Sequence, residues 1–111
     1  MVQTVPRKRI EILVDTPLVP RIVSKLKAVD ISGWSVIHVD SGGGRGGEWQ
    51  HDDVTGASAK TIVLAIASDT KTAQLMDAIA PLLDSYGMLL TVGDVQAAPV
   101  QVQAAPVQVQ A

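Results

Sequence analysis

The chain has 111 residues, of which 47% are hydrophobic and 18% charged, and it contains no cysteine and no phenylalanine. Its nine basic and eleven acidic side chains leave a net charge of −2, which argues against nucleic-acid binding because phosphate neutralisation needs a basic surface. Without cysteine, disulfides, thiolate catalysis and cysteine-based zinc sites are excluded.

Neither a membrane span nor a secretory signal is evident in the sequence. The first residues, MVQTVPRKR, have no apolar signal core. The longest apolar run, residues 62–67, is far shorter than the ~20 residues that cross a bilayer. We therefore expect a cytoplasmic protein.

Four segments show the apolar patterns of β-strands. They are residues 9–14, 34–39, 60–67 and 88–95. Apolar residues at helical spacing follow the first and the third of these strands, so the predicted order is β-α-β-β-α-β. This order is typical of an α+β ferredoxin-like fold, with a four-stranded antiparallel sheet and both helices on one face.

Several residues mark the ends of the two predicted helices. Thr16 is a predicted N-cap with Pro17 at the first helical position of the first helix. A start one turn later is the alternative, because Pro20 cannot donate a backbone hydrogen bond. Ser68 or Asp69 is predicted to cap the second helix, and Gly87 fits a left-handed cap at its C-terminus.

Some of the predicted strands are apolar on both faces. Residues 62–67 and 88–90 do not alternate with polar residues, as a sheet with one solvated face should. A monomer would expose a large apolar patch on the face away from the helices. We therefore expect a homo-oligomer whose sheets face inward.

All charged residues precede residue 96, and the remainder is a low-complexity segment in which QAAPVQV occurs twice. We predict a folded domain over residues 1–95 and a tail over residues 96–111. Pro99 and Pro106 exclude a helix in the tail. Its composition is compatible with an unstructured segment or with an arm that docks on a neighbouring subunit.

Residues 40–58 form a long connection between the predicted second and third strands. Five glycines flank Arg45, so backbone N–H groups and one guanidinium can cradle a phosphate. Because GGGRGG is no established phosphate-binding motif, a flexible hairpin tip is an equally open interpretation.

The same connection contains Trp49, His51, Asp52 and Asp53. Adjacent residues in a loop rarely converge on one ion, so we predict no metal site. His38 alternates with apolar residues and is interpreted as a hydrogen-bonded strand residue. No nucleophile lies at a defined spacing from a base, and acylphosphatases, which share this element order, need an Asn that the sequence lacks. We predict no enzymatic activity.

Two segments together resemble the PII signalling proteins. Residues 31–47 resemble the PII segment in which a Gly-x-Thr-Val turn opens the second strand and Gly-x-Gly-Arg begins the long T-loop. The similarity continues through residues 60–69, and element order and spacing agree over roughly residues 8–95. The resemblance implies a homotrimer with inward-facing sheets, which binds adenine nucleotides in clefts between subunits at the base of the T-loop, residues 40–58.

The resemblance also implies which residues contact ligands. The implied nucleotide-binding residues are Gly33, Trp34, Ser35, Val36, Gly42, Gly43, Gly44, Arg45, Gly46, Gly47, Gly87, Met88 and Leu89. Lys60 aligns with a lysine that pairs with the carboxylate of 2-oxoglutarate in PII proteins. Lys60 and Arg45 are candidates for binding a small anion such as bicarbonate.

The sequence departs from the PII pattern at several of these positions. Gly46 replaces a Gln that helps bind Mg and 2-oxoglutarate, and the T-loop has no Tyr for uridylylation. Met88 replaces a phosphate-binding lysine, and the uncharged tail replaces arginines. Losing such charge-assisted contacts weakens triphosphate binding most, so the resemblance favours ADP or AMP over ATP.

The resemblance is greatest to divergent PII-like proteins associated with carboxysomes or bicarbonate uptake. It implies a regulator whose T-loop controls a partner transporter or enzyme of carbon or nitrogen metabolism. Two alternatives share the trimeric fold. One is a CutA-type metal-binding protein, which would use His51 at a subunit junction, and the other is a purely structural trimer.

Overall fold

Six strands and two α-helices make up the computed structural model, which describes residues 2–44, 47–50 and 59–98. The strands are β1 (Val5–Asp15), β2 (Trp34–Val39), β3 (Ser41–Gly44), β4 (Gly47–Gln50), β5 (Lys60–Ala67) and β6 (Leu89–Ala97). The helices are α1 (Val19–Ala28) and α2 (Asp69–Tyr86), and a short 3-10 turn, Thr16–Leu18, precedes α1. No helix in this described part of the chain is long and apolar enough to cross a membrane.

Four of the strands form one antiparallel sheet in the order β2-β5-β1-β6, and β3 pairs only with β4. The central strands β1 and β5 pair along eight residues, from Lys8 opposite Ala67 to Asp15 opposite Lys60. Each helix connects a central strand to an edge strand. The predicted α+β ferredoxin-like fold is confirmed.

The core lies between the sheet and the helices. Alternate residues of β1 and β5 are buried on this side, because side chains of a strand point alternately to its two faces. The buried apolar cluster consists of Ile10, Ile12, Val14, Ile22, Leu26, Ile31, Val63, Ala65, Ala67, Leu75 and Ile79. The members of this buried cluster are all aliphatic, as expected for a sequence without phenylalanine.

The opposite face of the sheet carries an apolar row that crosses all four strands. Ile37 lies opposite Ile62, Ile62 opposite Leu13, and Leu13 opposite Leu89. At the two ends of this open-face row, Ile37 is 45% exposed and Leu89 59% exposed. The prediction that some strands are apolar on both faces is thus confirmed for the centre of the sheet.

The first helix begins later than predicted. Thr16 is not its N-cap, because the Thr16 hydroxyl donates to the Ala59 carbonyl (3.2 Å) and is 2.8 Å from the Thr61 hydroxyl. The chain instead makes a 3-10 turn, and α1 starts at Val19 with Pro20 in its first turn. Pro20 is tolerated there because the first N–H groups of a helix have no partner within the helix.

The second helix has the predicted ends. The Ser68 hydroxyl accepts a hydrogen bond from the Lys71 backbone N–H at 3.2 Å. Gly87 is left-handed with φ 62°, and its N–H donates to the Leu83 carbonyl at 3.3 Å. The following strand β6 ends at Ala97. Residues 99–111, most of the predicted tail, lie outside the described residues.

Candidate nucleotide and anion site

The glycine-rich segment after β2 contains a two-stranded ribbon, β3–β4. In it Ser41 lies opposite Gln50, and Gly44 lies opposite Gly47. Gly47 has φ 103°, a conformation that favours glycine. The sequence does not predict these two strands, because glycine-rich strands lack the side-chain alternation that identifies a strand. The hairpin interpretation agrees with this pairing.

Several predicted residues of this segment lie outside the described part of the chain. These are Arg45 and Gly46, between the two ribbon strands, and residues 51–58, which include His51, Asp52 and Asp53. In the described part, no group of three or more histidine or acidic side chains is placed to hold a metal ion. His38 lies on β2 opposite Thr61, on the helix side of the sheet.

The base of the ribbon is the point at which three sheet strands begin or end. Lys60, the first residue of β5, lies opposite Val39 on one side and opposite Asp15 on the other. Its ammonium group forms an ion pair with the Asp15 carboxylate. The candidate anion-binding lysine is therefore at the base of the ribbon, and it carries a counter-ion from β1.

Asp15 was not among the predicted site residues. Its sequence signal is its position, because it directly follows the predicted first strand, residues 9–14, and Lys60 is the first residue of the predicted third strand. Antiparallel pairing of these strands with aligned ends places the two side chains opposite each other. The strand register, which sequence patterns predict poorly, decides the contact.

The first group of predicted nucleotide-binding residues lies at the edge of the sheet, where β2 begins. Trp34 packs against the core, Ser35 lies on the open face opposite Leu64, and Val36 is 38% exposed. A Cβ added to Gly33 would meet no heavy atom within 4 Å, and the backbone there is not left-handed. Neither packing nor conformation in the single chain therefore requires a glycine at residue 33.

The second group lies at the opposite edge of the sheet. Gly87 ends α2, Met88 packs against the core, and Leu89 opens β6. Because β5 and β1 lie between β2 and β6, the two edges are about 14 Å apart, three strand spacings. One chain does not bring the two groups of predicted nucleotide-binding residues together.

A charged cluster links the other end of β1 to β6 and α2. Lys8 forms an ion pair with Asp94, which lies opposite it on β6, and its ammonium nitrogen is 3.8 Å from an Asp69 carboxylate oxygen. The hydrogen bond and the charge of Asp94 raise the pKa of Lys8 above its ordinary value of 10.5. Lys8 is therefore protonated at neutral pH, and its charge is balanced by Asp94.

The helix layer has an open groove of about 400 Å³. It is lined by Pro20, Arg21, Ser24, Lys25 and Leu82. The Arg21 guanidinium lies 5.4 Å from the centre of the Tyr86 ring and donates to the Tyr86 hydroxyl at 2.7 Å. The groove shares no residue with the predicted nucleotide or anion site, which lies on the sheet and at the ribbon.

The described residues define a ferredoxin-like α+β protein with a β-ribbon inserted between the second and third strands of its sheet. A sequence model of the family described as nitrogen regulatory protein P-II matches residues 7–102. The chain belongs to this family, and the resemblance seen in the sequence is confirmed. A search of curated protein sequences found no match.

Solved structures with the same fold include other PII-like proteins. One is CPII from Thiomonas intermedia K12 bound to ADP, AMP and bicarbonate, with 18% identity, a TM-score of 0.79 and coverage of 88% of this chain and 93% of that one. Another is a PII-like signalling protein from Thermus thermophilus, with 18% identity, a TM-score of 0.73 and coverage of 86% and 93%. At these identities the structural similarity establishes the fold.

Proposed function

We propose that the protein is a homotrimeric PII-like signalling protein without enzymatic activity. It binds ADP or AMP in clefts between subunits and a small anion such as bicarbonate at the base of the ribbon. Ligand binding changes the conformation of residues 40–58 and thereby controls a partner protein. The observation that carries this proposal is the division of the predicted nucleotide-binding residues between opposite edges of one sheet.

A cyclic oligomer offers a way to complete such a divided site. Each interface of a cyclic trimer joins two different surfaces, and we propose that the β2 edge of one subunit meets the β6 edge of the next. Ser35 and Leu89, which are far apart in one chain, then lie in the same cleft. The open-face row supports the same assembly, because an exposed apolar row of this kind favours burial against another subunit.

The ligand classes are supported by two independent observations. CPII from Thiomonas intermedia K12, which shares the fold and the family, is bound to ADP, AMP and bicarbonate. In this chain the position after Gly87 is Met88, and the tail, residues 96–111, has no charge. We therefore propose that ADP and AMP bind more tightly than ATP, whose third phosphate gains no charge-assisted contact from either segment.

The position of Lys60 supports a link between anion binding and the ribbon. Lys60 lies opposite Val39, the last residue of β2, and β3 begins at Ser41. An anion held by Lys60 is therefore close to the point at which the ribbon leaves the sheet. We propose that ligands select one conformation of residues 40–58, and that a transporter or enzyme of carbon or nitrogen metabolism distinguishes this conformation. We also propose that the protein is cytoplasmic and carboxysome-associated.

Isothermal titration calorimetry of the full chain with AMP, ADP and ATP tests the nucleotide proposal. We expect binding of ADP and AMP, weaker binding of ATP, and a loss of at least tenfold in ADP affinity in Arg45→Ala. Arg21→Ala is the matched control, because it removes an arginine from the helix layer. The absence of heat with every nucleotide, in the wild type as in Arg45→Ala, would contradict the proposal.

A further inference from the structure

Asp15 faces the candidate anion-binding lysine directly, and we propose that it determines which anions the site accepts. Its carboxylate lowers the affinity of Lys60 for every anion and discriminates most strongly against multiply charged ones. This inference rests on the proposed function, because it takes Lys60 as the anion ligand. It assigns the selectivity of the site to a residue outside the predicted set.

Asp15 is held in place by the backbone around it. The Thr16 N–H donates to the Ala59 carbonyl at 3.0 Å, and the Thr16 hydroxyl contacts that carbonyl and the Thr61 hydroxyl. These contacts fix β1 to the start of β5 on both sides of the Asp15–Lys60 pair. The backbone of Asp15 therefore stays opposite Lys60 unless the end of the sheet opens.

In the single chain the pair is accessible to a ligand. The Asp15 side chain is 40% exposed and the Lys60 side chain 28% exposed. An anion that contacts the Lys60 ammonium must therefore approach a group whose charge Asp15 already balances. Binding adds a negative charge to a neutral pair, with about 5 Å between the incoming charge and the Asp15 carboxylate.

The repulsion grows with the charge of the ligand, because Coulomb energy is proportional to it. For a separation of about 5 Å and a dielectric between that of a protein surface and that of water, each unit of ligand charge changes the dissociation constant about tenfold. Removing the Asp15 charge should then strengthen the binding of a monoanion about tenfold, and the binding of a dianion at the same distance about a hundredfold.

The test compares Asp15→Asn with the wild type by calorimetric titration of ADP-loaded full-length protein with bicarbonate and with malonate at pH 8. Asp77→Asn is the control, because it removes the same charge from the exposed side of α2. Circular dichroism melting verifies that the variants are folded. We expect Asp15→Asn alone to strengthen bicarbonate binding about tenfold and malonate binding by about the square of that factor.

Each outcome decides the inference. Bicarbonate that binds only to Asp15→Asn would also support it. Three results would overturn it. They are an equal gain in anion affinity in Asp77→Asn, a gain in malonate affinity no larger than the gain in bicarbonate affinity, and no anion binding to any variant. ADP titration of the same proteins before loading separates this failure from that of the proposed function, because nucleotide binding with unaltered anion selectivity overturns the role of Asp15 alone.

Discussion

Gly33 offers a test that separates a role in ligand binding from a role in folding. An added Cβ at this residue has no heavy atom within 4 Å in the single chain, and φ is not in the left-handed region. We therefore expect Gly33→Ala to change the free energy of unfolding by at most about 0.5 kcal/mol. The change should be an increase in stability, because alanine reduces the conformational freedom of the unfolded chain. This corresponds to a shift of a few degrees or less in the melting temperature.

The expected effect on nucleotide binding is much larger. If ADP approaches the backbone at the start of β2, as proposed, a methyl group at residue 33 occupies space that only glycine leaves open. We expect Gly33→Ala to weaken ADP binding at least tenfold, which is a loss of about 1.4 kcal/mol. Urea unfolding measures the first quantity and calorimetry with ADP measures the second.

Two other glycines serve as controls, Gly93 for ligand binding and Gly87 for the effect of a left-handed backbone on stability. Gly93, in β6 opposite Arg9, has equally open space around an added Cβ and is not a predicted ligand residue. Gly93→Ala should leave both unfolding and ADP binding unchanged. Gly87 has φ 62°, so Gly87→Ala should cost about 1 kcal/mol of stability. An ADP affinity that is the same in Gly33→Ala and Gly93→Ala would refute the role of Gly33.

Three further predictions concern assembly and stability. Leu13→Asp places a charge in the open-face row and should convert the oligomer to monomers in analytical ultracentrifugation. Thr16→Val leaves the buried Thr61 hydroxyl without its 2.8 Å partner and should cost about 1–2 kcal/mol in urea unfolding. Lys8→Met should lower the melting temperature at neutral pH, and the difference from the wild type should disappear as the pH rises through the raised pKa of Lys8, above 10.5. The contact with Asp94 stabilises the folded protein only while Lys8 is protonated, and the raised pKa in the folded state reflects this contact. The stabilisation is therefore present at neutral pH and is lost as Lys8 deprotonates.

Control variants and pH dependence test the reasons given for these three effects. Met76→Asp introduces the same charge on exposed α2 and should leave the oligomer intact, so equal dissociation of both variants would remove the argument from the open-face row. Thr16→Ser keeps the hydroxyl and should retain most of the stability. A Lys8→Met difference that persists unchanged above the raised pKa would show that the charge of Lys8 is not its cause.

The sequence predicts the sheet and its helix-covered face well. The bounds of β2 and β5 agree with the structure, because each is a continuous apolar or alternating segment that ends at a glycine-rich or polar stretch. The start of α1 was wrong because Thr16 forms a tertiary contact with Ala59 and Thr61 in place of a cap. A cap motif is local, whereas such a contact depends on a strand more than forty residues away.

The candidate site is less predictable than the fold. Composition alone leaves a phosphate cradle and a hairpin tip open for the ribbon residues, and the pairing of Gly44 with Gly47 has no side-chain pattern to indicate it. The Asp15–Lys60 contact requires the register of two strands, and a shift of one residue would separate the pair. Family resemblance indicates which residues to consider, and the register shows which of them meet in one chain.

The central claim is that adenine nucleotide binds between the subunits of a trimer. Native mass spectrometry of the full-length protein with increasing ADP tests it most directly, because one spectrum reports both the number of chains and the number of bound nucleotides. We expect a trimer that binds up to one ADP per chain, and no ADP on monomeric Leu13→Asp. A monomer that binds ADP one to one, or a trimer that binds none, would contradict it.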